Sequence, residues 1–271
     1  MKKILSVLLV LSIVCSAMLM VACDKDGGVD ESISAKELIS DAIEKTQNAD
    51  SMAGKMTMSM TMSMMGMTIE VPMVIDMKIK NIRSDMPTAY ADINIDMSAL
   101  GMEQSMVMYM ADGWGYYVMD GGESYKTYIG NSDTANGQYI DMANSMLEEI
   151  PDNILEGQKV IKNSDGTRSV RIELNNEDFM ALYEDLAESM YGSMMGGMAD
   201  ISELNIDDVV ITYTVGSDGY LTKCEMSFVM GVNVQGISTN TTVSAVMEYS
   251  SFDADDIVIT PPEGYQNFPE M

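Results

Sequence analysis

The sequence has no histidine, 15 lysines and arginines against 42 aspartates and glutamates, three cysteines and one tryptophan in 271 residues. Lack of histidine removes the usual general base near neutral pH and the commonest ligand of zinc and iron. A formal charge of −27 with no basic cluster argues against a nucleic-acid partner, because binding phosphates needs lysine and arginine to displace counterions. Also missing are a Gly-x-Ser-x-Gly elbow, a phosphate loop, a dinucleotide fingerprint and a metalloprotease helix. Carboxylate pairs such as Glu148-Glu149, Asp207-Asp208 and Asp255-Asp256 read as solvated surface in so acidic a chain, and none stands out as an acid and its base. The reading is therefore a protein that is not an enzyme and needs no cofactor or metal. What is abundant is apolar: 46% hydrophobic residues, with 31 methionines, enough to fill the core of one sizeable domain.

The N-terminus has the order of an export signal. Lys2 and Lys3 precede an apolar run from Ile4 to Val21, and the small residue Ala22 precedes Cys23. Three serines in the run and the acidic, glycine-bearing Asp24-Lys25-Asp26-Gly27-Gly28 after it favour a cleaved segment over a membrane span. Met20-Val21-Ala22-Cys23 resembles the lipobox of bacterial lipoproteins, with Met20 where leucine is usual. That resemblance implies cleavage before Cys23 and diacylglycerylation of its thiol, two acyl chains being enough for stable anchoring. Residues 1–22 are then a signal peptide and 23–31 a flexible acidic tether. Loss of Lys2 and Lys3 with no acidic residue moves the formal charge from −27 to −29, so an anionic lipid surface repels the domain and a covalent anchor must hold it. Cys224 remains as one free thiol, and no intramolecular disulfide can form.

From residue 32 onward the apolar period alternates between helix and strand. Ser34 with Glu37 marks the N-terminus of a first helix over 34–47, with Leu38, Ile39, Ala42 and Ile43 as its stripe. Met56, Met58, Met60, Met62 and Met64 then alternate with Lys55, Thr57, Ser59, Thr61 and Ser63, a strand with one apolar and one wet face. A second such strand runs over 67–79 after a turn at Met65-Gly66, with further strands at 89–97, 102–110, 114–119 and 125–129 forming a meander. Helices are expected over 136–150, stopped by Pro151, and over 177–191, with a hairpin (158–163, 168–174) between them. Strands at 209–215, 220–229 and 242–249 follow, then an extended Ile257-Val258-Ile259 ended by Pro261-Pro262. The aromatics Trp114, Tyr116, Tyr117, Tyr125 and Tyr128 read either as cross-strand sheet residues or as a stacking rim.

Because each strand is half apolar, the sheet must have one wet face and one covered face. About 10–11 antiparallel strands accumulate too much twist to stay flat. The predicted fold is α+β: a strongly curved antiparallel sheet, an incomplete β-barrel, with three helices covering its concave face and residues 32–271 forming a single domain.

This order, together with the lipobox-like Met20 to Cys23 and the ending Ile257-Val258-Ile259-Thr260-Pro261-Pro262, resembles the LolA/LppX-like envelope lipoproteins, in particular their Met-rich Gram-positive members. The resemblance covers nearly all of the chain after the signal and implies a half-barrel whose hydrophobic cavity carries lipids or the acyl chains of lipoproteins.

Methionine itself admits three readings: plain core filling, a pliable cavity for differently shaped apolar ligands, or soft thioether ligation of Cu(I) by residues such as Met56, Met58 and Met60. Against copper, these side chains stand side by side in a buried face and neither histidine nor a second cysteine helps. Cys224 should be a buried, inert thiol on a face with Thr222, Met226 and Phe228. Met190, Met194, Met195 and Met198 read as a mobile lip or as a loop packed on the sheet. The expected ligand cavity is lined by Met58, Met60, Met62, Met73, Met77, Ile93, Ile95, Met106 and Met108. Function is then expected to be lipid-anchored binding of a lipid or acyl chain on the outer face of the cytoplasmic membrane. The alternative is a surface lipoprotein with a fully packed core that acts through protein contacts or envelope sensing.

Overall fold

The computed structural model describes residues 28–64, 67–84, 86–98, 101–130, 152–179, 204–234 and 237–271. Helix α1 (Ala35–Gln47) starts where the sequence places it, with the Glu37 amide donating to Ser34 Oγ at 3.1 Å. Its Leu38, Ile39, Ala42 and Ile43 are all buried. A short helix α2 (Asp152–Leu155) precedes the hairpin over 160–174. Residues 176–179 form a helical turn, capped by Asn175 Oδ1, which accepts from the Asp178 amide. The helix expected over 136–150 and most of that expected over 177–191 lie outside the described residues, as do Met190, Met194, Met195 and Met198. Among the described residues, α1 is the long helix on the apolar face; it packs over the strands at 204–215 and 221–234.

Eleven strands follow: β1 (Ser51–Met64), β2 (Met67–Lys80), β3 (Thr88–Met97), β4 (Met102–Ala111), β5 (Trp114–Met119), β6 (Ser124–Tyr128), β7 (Val160–Lys162), β8 (Arg168–Leu174), β9 (Leu204–Val215), β10 (Leu221–Val234) and β11 (Ile237–Phe252). They form one sheet in the order β6-β5-β4-β3-β2-β1-β11-β10-β9-β8-β7. The chain starts at the centre, meanders outward to β6, returns at the far edge as β7 and meanders back until β11 lies antiparallel to β1. The sheet is open and consistent with an incomplete barrel.

Four strands run several residues past their sequence-predicted ends: β1, β9, β10 and β11, the last extending over 237–252 where 242–249 is expected. At β1 the register shifts between Ala53 and Gly54, and Gly54 has no side chain to mark the alternation. A Cβ there would lie 2.8 Å from the Glu248 carbonyl oxygen and 2.8 Å from Met247 Cε, so only glycine lets β11 approach. β9 begins at Leu204, not at 209, because Asp208 adopts a left-handed conformation (φ 54°) in a bulge opposite β10. Such a bulge shifts the phase of the alternation. β10 continues to Val234 through Gly231. Pro72 is tolerated inside β2 because pairing with β3 begins at Met73–Ile95, one residue later, so no ladder bond needs its missing N–H.

Both sheet edges are covered by the chain itself, which blunts the unpaired backbone that invites other strands. On β7, Val29 pairs with Ile161, the Asp30 amide donates to the Val160 carbonyl and the Lys162 amide to the Gly28 carbonyl. Arg168 Nε donates to Asp30 Oδ2 at 2.8 Å. On β6, the Lys126 amide donates to the Pro269 carbonyl and the Met271 amide to the Lys126 carbonyl. The main core lies under α1, where Ile39, Val170, Ile172, Ile206, Ile211, Tyr213 and Leu221 are essentially inaccessible.

Candidate functional site

Strand register converts the sequence alternation into continuous rows across the inner face, the face on which α1 packs. One row runs Ile95, Met73, Met58, Ala245, Met226, Ile211 and Ile172 through successive pairs. The next runs Met106, Ile93, Ile75, Met56, Met247, Cys224, Tyr213 and Val170. A third joins Met108, Ala91 and Met77, and Met60 and Met62 pair with Val71 and Ile69. All nine residues expected to line a cavity thus share one face of β1–β4.

The two halves of this face differ in closure. Over β8–β11 most residues beneath α1 form the closed core, with Cys224 and Met226 partly buried at its margin. Over β1–β4, each of Met58, Met60, Met62, Met73, Met77, Ile93, Ile95, Met106 and Met108 is half-buried, and Met60 packs against the edge of the core. The patch is built from neutral side chains, with Gln104 opposite Ile95 as its first polar neighbour on β4.

Between the halves, where β1, β11, β10 and β9 adjoin, lies a hollow of about 20 Å³ lined by Met56, Ile211, Tyr213, Cys224, Met226, Ala245 and Met247. Cys224 is only partly buried by surface exposure, but loss of solvent around its sulfur, with the Glu225 charge adding to it, pushes the thiol up to about 12. The thiol therefore stays protonated, while its surface is partly exposed where the sequence reading expected it buried. Burial also raises Tyr249 well above the ordinary tyrosine range.

A larger opening was not foreseen. Residues 257–271 cross the outer face as a strap, and beneath it lies a groove of about 630 Å³ lined by Lys78, Tyr90, Val107, Val118 and Ser124 of the sheet and Val258, Pro261, Pro262, Glu263 and Phe268 of the strap. Lys78 Nζ donates to the Val258 carbonyl at 3.0 Å. Tyr265 stands edge-on to Tyr109 and Tyr116, with ring centroids 5.2 and 4.9 Å apart. The signal for this cover was present in the sequence: Tyr90, Val107, Tyr109, Tyr116 and Val118 are apolar or aromatic on the nominally wet face. The remaining aromatics form cross-strand pairs, Tyr117 stacked on Tyr125 at 4.9 Å and Trp114 edge-on to Tyr128 at 5.2 Å. Asp207, Asp208, Asp255 and Asp256 are exposed. Among the described residues no group of three or more Cys, Asp or Glu side chains could hold a metal ion, and no helix is long and apolar enough to cross a membrane.

Comparison with solved structures finds LprF from Mycobacterium bovis at 11% identity and a TM-score of 0.41, covering 87% of this chain and 98% of that one. A LolA superfamily protein from Nitrosomonas europaea gives 11% identity and a TM-score of 0.24 over 85% and 99% of the two chains. A DUF1329 family protein from Desulfovibrio piger gives 11% and 0.26 over 83% and 93%. No curated protein matches in sequence. A family model does match, over residues 34–267, and the chain therefore belongs to the family of unknown function DUF6612.

Proposed function

We propose that this protein is a lipid-anchored extracytoplasmic binding protein that holds an apolar ligand, a lipid or an acyl chain, on the Met/Ile half of its inner face. The observation that carries this reading is the contrast within one sheet face. The β8–β11 half is closed, whereas nine Met and Ile side chains of β1–β4 are only half-buried. Partly exposed apolar area of this kind is costly in water unless something covers it. Thioether side chains are unbranched and repack around ligands of different shape.

Anchoring through Cys23 would hold the β7 edge of the sheet, the edge remote from β1–β4, close to a membrane. The chain is fastened to β7 from Gly28 onward, and the five residues 23–27 span at most about 18 Å. A leash that short keeps the β7 edge near the bilayer despite the acidic surface. Protein extracted from membranes should start at Cys23 and carry the acyl mass; an unmodified cysteine would contradict the anchor.

The ligand reading is tested with a fluorescent fatty-acid probe. Met60→Lys and Met73→Lys, each checked for unchanged circular dichroism, should weaken binding at least tenfold, about 1.4 kcal/mol. Met60→Leu and Met73→Leu, which keep the apolar area, should retain it, as should Val118→Lys in the outer groove. No binding by the parent protein, or equal binding by the Lys variants, would overturn the proposal in favour of a packed protein that acts through protein contacts.

A further inference from the structure

Four sulfur-bearing residues line the hollow between the two halves of the inner face. Met56, Met247 and Cys224 are direct cross-strand partners on β1, β11 and β10, and Met226 follows Cys224 by two residues on the same face. All four line the same space. Neighbouring strands are about 4.8 Å apart, and the flexible methionine side chains are long enough to converge between them. Sequence spacing alone shows only thioethers in a line along β1. It is the return of β11 and β10 to the centre of the sheet that adds the one thiol.

We infer that Met56, Cys224, Met226 and Met247 form a binding site for a single soft monovalent cation, Cu(I). Thiolate and thioether donors select Cu(I), whereas carboxylate and carbonyl oxygens suit harder ions. Charge supports the same choice. On binding, the Cys224 S–H bond breaks, a sulfur–copper bond forms and the proton leaves to water; no electron moves. A neutral thiol is replaced by a neutral thiolate–Cu(I) pair surrounded by three neutral thioethers. A divalent ion would leave one uncompensated positive charge against Ile211 and Ala245, which apolar surroundings penalise heavily. The size is also suitable. A volume of about 20 Å³ holds roughly one water-sized particle, so a bare ion fits and a hydrated one does not. This site uses none of the nine residues of the proposed ligand face, and either proposal can fail without the other.

The test is anaerobic Cu(I) titration against a coloured Cu(I) chelator, using protein with Cys15→Ser and Cys23→Ser so that Cys224 is its one thiol. Expected are one Cu(I) per chain, a near-ultraviolet thiolate-to-copper band and release of one proton. Cys224→Ser should abolish the band and weaken binding about 100-fold, and Met226→Leu and Met247→Leu, which preserve volume and apolarity, about tenfold or more each. Met119→Leu, on the same face outside the hollow, should change nothing. If Cys224→Ser does not fold, the two leucine variants decide. Absence of the band, several equivalent copper ions spread over the methionines, or leucine variants that bind like the parent would overturn the assignment.

Discussion

Methionine at 56, 58, 60 and 62, with serine or threonine between, encodes a strand by period alone, yet what each residue meets depends on the strand beside it. Met58 faces Met73 and lies in the half-open patch, whereas Met56 faces Met247 and borders the sulfur-lined hollow. Asp30 makes the same point at the N-terminal edge. In sequence it belongs to an acidic tether; in the structure it accepts from the Ser32 hydroxyl and amide and from Arg168. The Ser32 hydrogen bonds and then Arg168 hold its carboxyl far below its usual 3.8. A group depressed in the folded state adds stability that is fully present above its unfolded pKa and is lost as pH falls through the folded value. Asp30→Asn should therefore lower protection of the Lys162 amide from hydrogen exchange at neutral pH, and the difference from the parent should shrink only below about pH 4. Equal protection in both proteins at pH 7 would show that the ion pair does not fasten this edge.

At the scale of elements, regular alternation was legible and its interruptions were not. The first helix and most strands of the outgoing meander start or end within a few residues of where period and turn residues put them, because each carries its own repeating signal. The sequence reading starts β9 at 209 because Asp208 is a bulge that breaks the alternation. The C-terminal strap was invisible as a cover. Tyr265 and Tyr116 meet through tertiary structure, and contacts so far apart in the chain leave no period to detect. Tyr265 makes two edge-on ring contacts, each worth about 0.5–1.5 kcal/mol. Tyr265→Ala should destabilise the protein by about 1–3 kcal/mol and speed exchange at the Lys126 and Met271 amides while leaving β9 and β10 unchanged. Uniform loss of protection across the sheet would mean that the strap is part of the global core and not a separate fastening.

For the whole molecule, composition excluded more than it identified. Acidity and the lack of histidine pointed away from nucleic acid and familiar catalysis, and the alternation made a large one-sided sheet the expected architecture. Neither could say which half of the apolar face would be closed, because that is decided by where α1 docks. Thr46 Oγ1 accepts from the buried Leu221 amide and Lys45 Nζ donates to the Asp218 carbonyl, which hold the helix over the β9–β10 end and away from β1–β4. The proposed function rests on that asymmetry. Its most direct measurement is native mass spectrometry of the protein extracted from membranes, alongside its Met60→Lys and Met73→Lys variants. A non-covalent apolar adduct on the parent protein that is missing from both variants is the predicted result; a parent protein that carries no adduct in any extraction condition, or an adduct kept by folded Lys variants, would contradict it.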